Sequence, residues 1–221
     1  MPLLDPVLIG DSGQVKEYRE ETTYGSIGDP HHRHISQLMG MYPGTLINQK
    51  TKTWLEGARV TLNGRGMICN NGWPLIHRFC LWARACDPEN TMMLLRRFIQ
   101  SSVMDNLWAN HGVFQIEANF GYVSGVCEML LQSQSGYIDL LPSCPKEWEN
   151  GAFSGMVARG SFVVDCSWSG GTVKAVRVLS EKGGELCIKI PNGLTSSKPC
   201  ARMEDGISVF ETTENEVIVL E

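Results

Sequence analysis

No run of apolar residues in this chain approaches the roughly 20 needed to cross a bilayer as a helix, so no membrane-spanning partner surface is expected. Basic charge is scarce: 19 Lys and Arg stand against 24 Asp and Glu, for a net charge of -5. No basic stripe forms, which argues against nucleic acid as a partner. None of the eight cysteines (Cys69, Cys80, Cys86, Cys127, Cys144, Cys166, Cys187 and Cys200) forms a C-x-x-C pair, so a zinc ribbon or thioredoxin-like motif is unsupported. Several sit inside apolar patterns, as Cys80 does within Phe79-Cys80-Leu81-Trp82, and read as free thiols acting as small buried hydrophobes. Such usage fits a reducing compartment. The opening Met1-Pro2-Leu3-Leu4-Asp5 has neither the basic region nor the apolar core of a signal peptide, and location is left open between cytoplasm and export. What is present is an ordinary globular balance, 43% apolar and 19% charged, which excludes disorder.

The patterning changes near residue 135. Before it the apolar spacing is helical. The segment 71–85 starts with Asn71 as a cap and Pro74 in the first turn, and carries Trp73, Ile76, Cys80 and Ala83 as a stripe widened by Phe79 and Trp82. Asp87-Pro88-Glu89 repeats the start signal, with Met92, Leu95, Phe98 and Ile99 on one face. A helix over 122–132 is expected to bury Val123, Val126, Cys127, Leu130 and Leu131. Segments 35–41 and 51–62 read as two more. After residue 137 the period is two. Phe162, Val164, Cys166 and Trp168 alternate with Val163, Asp165 and Ser167, the Ser169-Gly170-Gly171 turn follows, and Val173–Leu179 returns. Leu186–Ile190, Ile207–Phe210 and Val217–Leu220 read as further strands of a small antiparallel sandwich. The boundary is expected within Leu141–Trp148, giving domains of 1–141 and 142–221. Five helices are few for a closed array, so partner helices are expected on the N-terminal side.

Three polar clusters are expected in non-helical connections: 13–18, His31-His32-Arg33-His34, and 111–121. Three imidazoles in four positions could ligate a metal, but no Cys or Asp is spaced to complete the shell. Sugar binding by Arg33 and His34 fits better, since both donate hydrogen bonds to hydroxyls. In the third cluster Glu117 stands between Gln115 and Asn119, directly before a helix. An apolar wall raises a carboxyl pKa and a helix N-terminus lowers it, and either tuning suits acid-base or water-orienting work. The bland alternative is a first-turn Glu that only favours the helix dipole.

Gly13-Gln14-Val15-Lys16-Glu17-Tyr18, His32-Arg33-His34-Ile35-Ser36-Gln37-Leu38, Tyr42-Pro43-Gly44, Leu81-Trp82-Ala83-Arg84 and Phe114-Gln115-Ile116-Glu117-Ala118-Asn119-Phe120-Gly121 together resemble glycoside hydrolase family 95. The resemblance continues through Glu128-Met129-Leu130-Leu131-Gln132-Ser133 and Leu140-Leu141-Pro142. It implies an α+β multidomain fold, here the C-terminal half of an (α/α)6 barrel followed by an antiparallel β-sandwich. It implies inverting hydrolysis of α-L-fucosyl or α-L-galactosyl linkages without a cofactor. The partner would be a fucosylated or galactosylated oligosaccharide. Inverting enzymes hold an acid and a water-activating base roughly 6.5–9.5 Å apart. The resemblance places the general acid and the water-holding asparagines upstream of Met1, and the activating carboxylate at Glu117. Substrate contacts would come from His34, His111, Glu17, Arg33, Gln115 and Asn119.

The chain departs from the family pattern at telling points. Glu117-Ala118 stands where Asp-Gly is usual, Tyr18 where Trp is usual, and Gln37 where a His is usual. Asn70-Asn71-Gly72-Trp73-Pro74 replaces a Thr-Gly-Trp-Ser pattern. These changes keep open a second reading, a non-catalytic sugar-binding scaffold. By itself the chain is expected to be inactive and to expose a broad apolar face.

Overall fold

A computed structural model describes residues 7–19, 32–67, 72–110 and 113–221, and it divides into two compact units, 1–128 and 129–221. Among the described residues the first holds four α-helices: α1 (Lys52–Arg65), α2 (Gly72–Arg84), α3 (Pro88–Ser102) and α4 (Ile116–Leu130), whose last two residues enter the second unit.

The α2 helix is buried nearly all round, from Pro74 to Arg84, so its apolar stripe has no polar back. Only a helix enclosed by neighbours tolerates this. Its start lies beside residue 71, outside the described residues. The cap that is visible comes from elsewhere, the Gln115 side-chain oxygen accepting from Trp73 N at 3.0 Å. Helix α3 begins as its sequence dictates. Asp87 accepts from Asn90 N at 2.9 Å and Pro88 takes the first turn, where its missing N–H costs nothing. Its buried face is Thr91, Leu94, Leu95, Phe98 and Ser102. Ile99, expected inside, is 51% exposed. Helix α1 ends at Gly66, whose φ of 68° places it in the left-handed region open to glycine.

Two helical expectations are corrected. Segment 35–41 is only a three-residue 3-10 turn, Ser36–Leu38. Ile35, Leu38 and Met41 are all buried, a spacing of three that suits that tighter turn, and no side chain caps its start. The fourth helix begins at Ile116, well before residue 122, so Glu117 lies inside its first turn and not in a connection. Its buried face is Ala118, Gly121, Gly125 and Met129, while Val123 and Cys127 are exposed. Small residues face α2 because the two helices approach closely. A Cβ on Gly121 would collide with Ile76, and one on Gly125 with the Phe79 ring. The opposite face of α4 leaves Phe120 and Val123 exposed, with Leu107, Trp108, Val113 and Phe114 exposed in the connection before it.

A buried ion pair ties α2 to α4. Arg84 Nε and Nη2 donate to the Glu128 carboxylate, the latter at 2.7 Å, and Nη1 donates to the carbonyls of Met41 and Gly44 at 3.1 Å each. Removing one partner of such a pair leaves an uncompensated buried charge, at a cost of about 3–5 kcal/mol.

The second unit holds β1 (Leu131–Gln132), β2 (Asp139–Leu140), β3 (Gly151–Ala158), β4 (Phe162–Ser169), β5 (Thr172–Ser180), β6 (Gly184–Ile188), β7 (Arg202–Glu204), β8 (Ile207–Thr212) and β9 (Glu216–Leu220). All ladders between these strands are antiparallel. One sheet has the order β3-β4-β5-β9 and another β6-β8-β7. The expected alternation holds, with Phe162, Val164, Cys166 and Trp168 inside. Gly170 and Gly171 have φ of 60° and 69°, the two-residue hairpin that matches strand twist. Inward residues of both sheets, among them Val164, Val176, Leu186 and Phe210, share one apolar cluster. Strand β3 was not anticipated. Its exposure is mostly high, and Gly155 sits within the shift in register between Phe153 and Met156, so the period-two signal is broken.

Of the described cysteines, Cys80 and Cys166 are buried, whereas Cys127 and Cys200 are exposed. All the described cysteines are free thiols, and the reading of small buried hydrophobes holds at Cys80 and Cys166 and not at Cys127 and Cys200. Cys69 lies outside the described residues.

Candidate active site

The 32–38 segment is held from below by two arginines that are themselves buried. Arg65, its side chain 1% exposed, donates through Nη1 to the carbonyls of His32 (3.2 Å) and His34 (2.9 Å). Its Nη2 donates to Glu17 Oε2 at 2.7 Å. Arg78 donates to the Gly66 carbonyl at 2.9 Å and to that of His32 at 3.4 Å. With both carbonyls anchored, the backbone between them is held in place. The His32 and His34 rings lie 5.5 Å apart, and His32 Nδ1 accepts from His34 N at 3.2 Å.

Glu17 is engaged at both oxygens, by Arg65 and by the Ser36 hydroxyl at 2.8 Å. It therefore acts on the loop. Arg33 is exposed, and its charge helps to lower the His34 pKa. Burial is the larger cause of that shift, with His32 contributing last.

Behind this loop sits His77, which the sequence reading did not single out. Its Nε2 lies 3.0 Å from the Tyr42 carbonyl, to which the neutral ring donates. Trp73 stacks on it at 5.4 Å with an interplanar angle of 11°. Burial lowers the His77 pKa, the Tyr42 carbonyl opposes this, and the charges of His34 and Arg78 add to the lowering. Both imidazoles are thus neutral at pH 7, His34 carrying one donor and one acceptor and His77, its donor spent on the Tyr42 carbonyl, keeping one acceptor. The only sequence signal for His77 was a polar His-Arg pair, 77–78, inside an apolar helix. Tyr42, whose phenol burial pushes up to about 12, closes the far side.

Glu117 lies in the first turn of α4 and is exposed. Among the described residues it makes no hydrogen bond or ion pair. The helix dipole favours a carboxylate there by about 0.3–1 kcal/mol. Gln115, two residues earlier, links it to the histidine cluster: its oxygen caps Trp73, and Trp73 stacks on His77. Asn119 uses both ends of its amide on the preceding connection, accepting from Ala109 N at 2.9 Å and donating to the Leu107 carbonyl at 2.8 Å. His111 and His31 lie outside the described residues. Among the described residues no group of three His, Cys, Asp or Glu side chains is placed to hold a metal.

The comparisons with known proteins agree with this order of elements. The model of the Glycosyl hydrolase family 95 catalytic domain matches residues 1–130, and that of the Glycoside hydrolase family 95, C-terminal domain matches residues 132–220. Alpha-L-fucosidase 2 of Arabidopsis thaliana is 32% identical over 194 residues, which cover 81% of this chain and 22% of that protein. Probable alpha-fucosidase A of Aspergillus niger is 31% identical over 206 residues, covering 83% of this chain and 26% of that protein. The protein of the same name from Aspergillus oryzae is 31% identical over 194 residues, with 76% and 27% covered. The chain spans about a quarter of the length of these curated relatives. With consecutive matches to a catalytic and a C-terminal domain reaching from residue 1 to residue 220, the chain belongs to glycoside hydrolase family 95.

Proposed function

We propose that this chain is the C-terminal portion of a glycoside hydrolase that cleaves α-L-fucosyl, or α-L-galactosyl, linkages in oligosaccharides with inversion. In this reading the helices within residues 1–141 close an (α/α)6 barrel and 142–221 are a β-sandwich, whose compact unit also takes in the short strands β1 and β2. The exposed apolar residues on α4 and before it, from Leu107 to Val123, support the presence of further barrel helices in the complete enzyme. The observation that carries the reading is the chain of contacts from the Glu117 turn through Gln115 and Trp73 to His77, whose pKa the charge of His34 helps to lower. Neutral imidazoles suit hydroxyl recognition, since a neutral His34 carries one donor and one acceptor and His77, its donor spent on the Tyr42 carbonyl, keeps one acceptor.

In the mechanism, Glu117 would make a water more basic, and an acid upstream of this chain would protonate the leaving oxygen on the other face. His34, Arg33 and His111 contact the sugar. Glu17, Gln115 and Asn119 hold the elements that carry these groups. Nucleic acid and membrane have no part in it.

The test is chemical. The complete enzyme containing this chain should release fucose from an α1,2-linked oligosaccharide with inverted anomeric configuration, followed by proton NMR. Retention would contradict the assignment, and a Glu117→Gln enzyme of undiminished turnover would remove Glu117 from the reaction.

A second reading, sugar binding without hydrolysis, has one observation in its favour. Ala118 is fully buried against Gly72, so the turn cannot shift to absorb the longer Glu117 side chain. One methylene moves the carboxylate by about 1.5 Å, and a 1 Å misplacement can cost about a hundredfold in rate. Binding with no turnover by the complete enzyme would decide for this reading.

A further inference from the structure

We propose that the second unit carries a separate binding site for a single neutral pyranose ring, in the pocket lined by Gln134, Tyr137, Arg159, Phe162, Glu185 and Cys187. All six belong to the 129–221 unit, so the site is complete without the helices.

Three pieces of backbone build it. Strand β6 buries Leu186 and Ile188, so by alternation Glu185 and Cys187 project from its other face. The 137–139 segment runs along β6, with Ile138 N donating to the Cys187 carbonyl at 2.8 Å and the Ile138 carbonyl accepting from Lys189 N at 3.0 Å, which sets Tyr137 beside the pocket. The turn from β3 to β4 brings in Arg159, whose backbone N donates to the Ser133 hydroxyl at 3.1 Å. Gly160 completes that turn at a φ of 91°, and a Cβ there would strike the Phe162 ring.

The volume is about 230 Å³. Drug-sized ligands occupy pockets of roughly 300–1,000 Å³, so this one suits a single ring. Its chemistry selects the class. Gln134 is 9% exposed, and its Nε2 donates to Gln132 Oε1 at 2.7 Å. Its Oε1 is buried with no hydrogen-bond partner. The last torsion of a glutamine is broad, so a small turn can offer that oxygen to a donor arriving in the pocket. A bare acceptor beside the Glu185 carboxylate repels anions, and Arg159 repels cations. Glu185 is already paired with Arg202. What remains is a neutral molecule with hydroxyls for Gln134 and Arg159, and a C–H face for Tyr137 and Phe162. A pyranose has both.

Cys187 makes the site readable. In the complete enzyme containing this chain, iodoacetamide labelling is followed by mass spectrometry at Cys187, with the exposed Cys200 as internal reference. L-fucose, D-galactose, D-glucose and inorganic phosphate are the probes. At about 30 mM, ample for a millimolar Kd, at least one sugar should slow Cys187 labelling about fivefold or more and leave Cys200 unchanged. Arg159→Ala, at an exposed position, and Gln134→Ala should each abolish the protection. The site does not depend on the hydrolase reading, so Glu117→Gln should keep it. No slowing by any sugar, protection by phosphate, or equal slowing at Cys200 would each overturn the proposal.

Discussion

Replacing Gly125 by alanine tests the packing on which the candidate site stands. In an isolated helix the change is favourable by about 1 kcal/mol, since glycine is the poorer helix former. Here the new Cβ would lie inside 3.0 Å of two ring atoms of Phe79, where ordinary carbon contacts are about 3.5–4.0 Å. Phe79 is fully buried in α2, which is itself enclosed, so the ring has no space to retreat into. Overpacking of this kind costs about 1–3 kcal/mol, and a displacement near an ångström places it at the upper end. Subtracting the propensity gain leaves a net loss of about 2 kcal/mol, or a fall in Tm of roughly 4–8 °C. Urea titration followed by far-ultraviolet circular dichroism should show the midpoint falling with little change in slope. Phe79→Leu in the same chain should recover about 1 kcal/mol of coupling. The same substitution at Gly64, in the exposed last turn of α1, meets only the end of the Gln14 side chain and should be neutral or slightly stabilising. A Gly125→Ala chain as stable as the parent, or one that Phe79→Leu does not relieve, would refute the close approach of α2 and α4.

Other outcomes follow from the same contacts. Glu128→Gln should cost about 3–5 kcal/mol by leaving the Arg84 guanidinium buried without its counter-charge, measured by the same titration. His34 and His77 both have pKa values below 6.5 in the fold, so the unfolded chain binds more protons as pH drops through that value. Stability should therefore fall on acidification below about pH 6.5, and His77→Gln should flatten the dependence, as read from thermal melts across pH. The Cys80 thiol, pushed up to about 12 by burial, should resist alkylation until the chain unfolds. Exposed Cys200 should label first, and early modification of Cys80 would contradict its enclosure.

Much of this was legible in the order of residues, and where it was not the reason is physical. Asp87-Pro88, the Phe162–Trp168 alternation and Gly170-Gly171 encode their structures locally, through caps, period and φ, and appear as read. The short motifs around His34 and Glu117 likewise identified the family without any coordinates. Which face of α4 is buried was not local. Val123 and Cys127 look like core by hydropathy, yet the buried side is glycine and alanine, because the neighbour supplies the bulk. The same holds for the site. Glu17, Gln115 and Asn119 read as sugar ligands from their company in sequence, and the fold gives each a protein partner that sequence does not show: Arg65 and Ser36 for Glu17, Trp73 N for the Gln115 oxygen, and the 107–109 backbone for Asn119. His77 passed as part of a buried helix until Trp73 and Tyr42 were seen against it. Periodicity and turn chemistry act within a few residues and are written there. Which groups are left with a free donor or acceptor depends on partners far along the chain, and only the folded arrangement decides it.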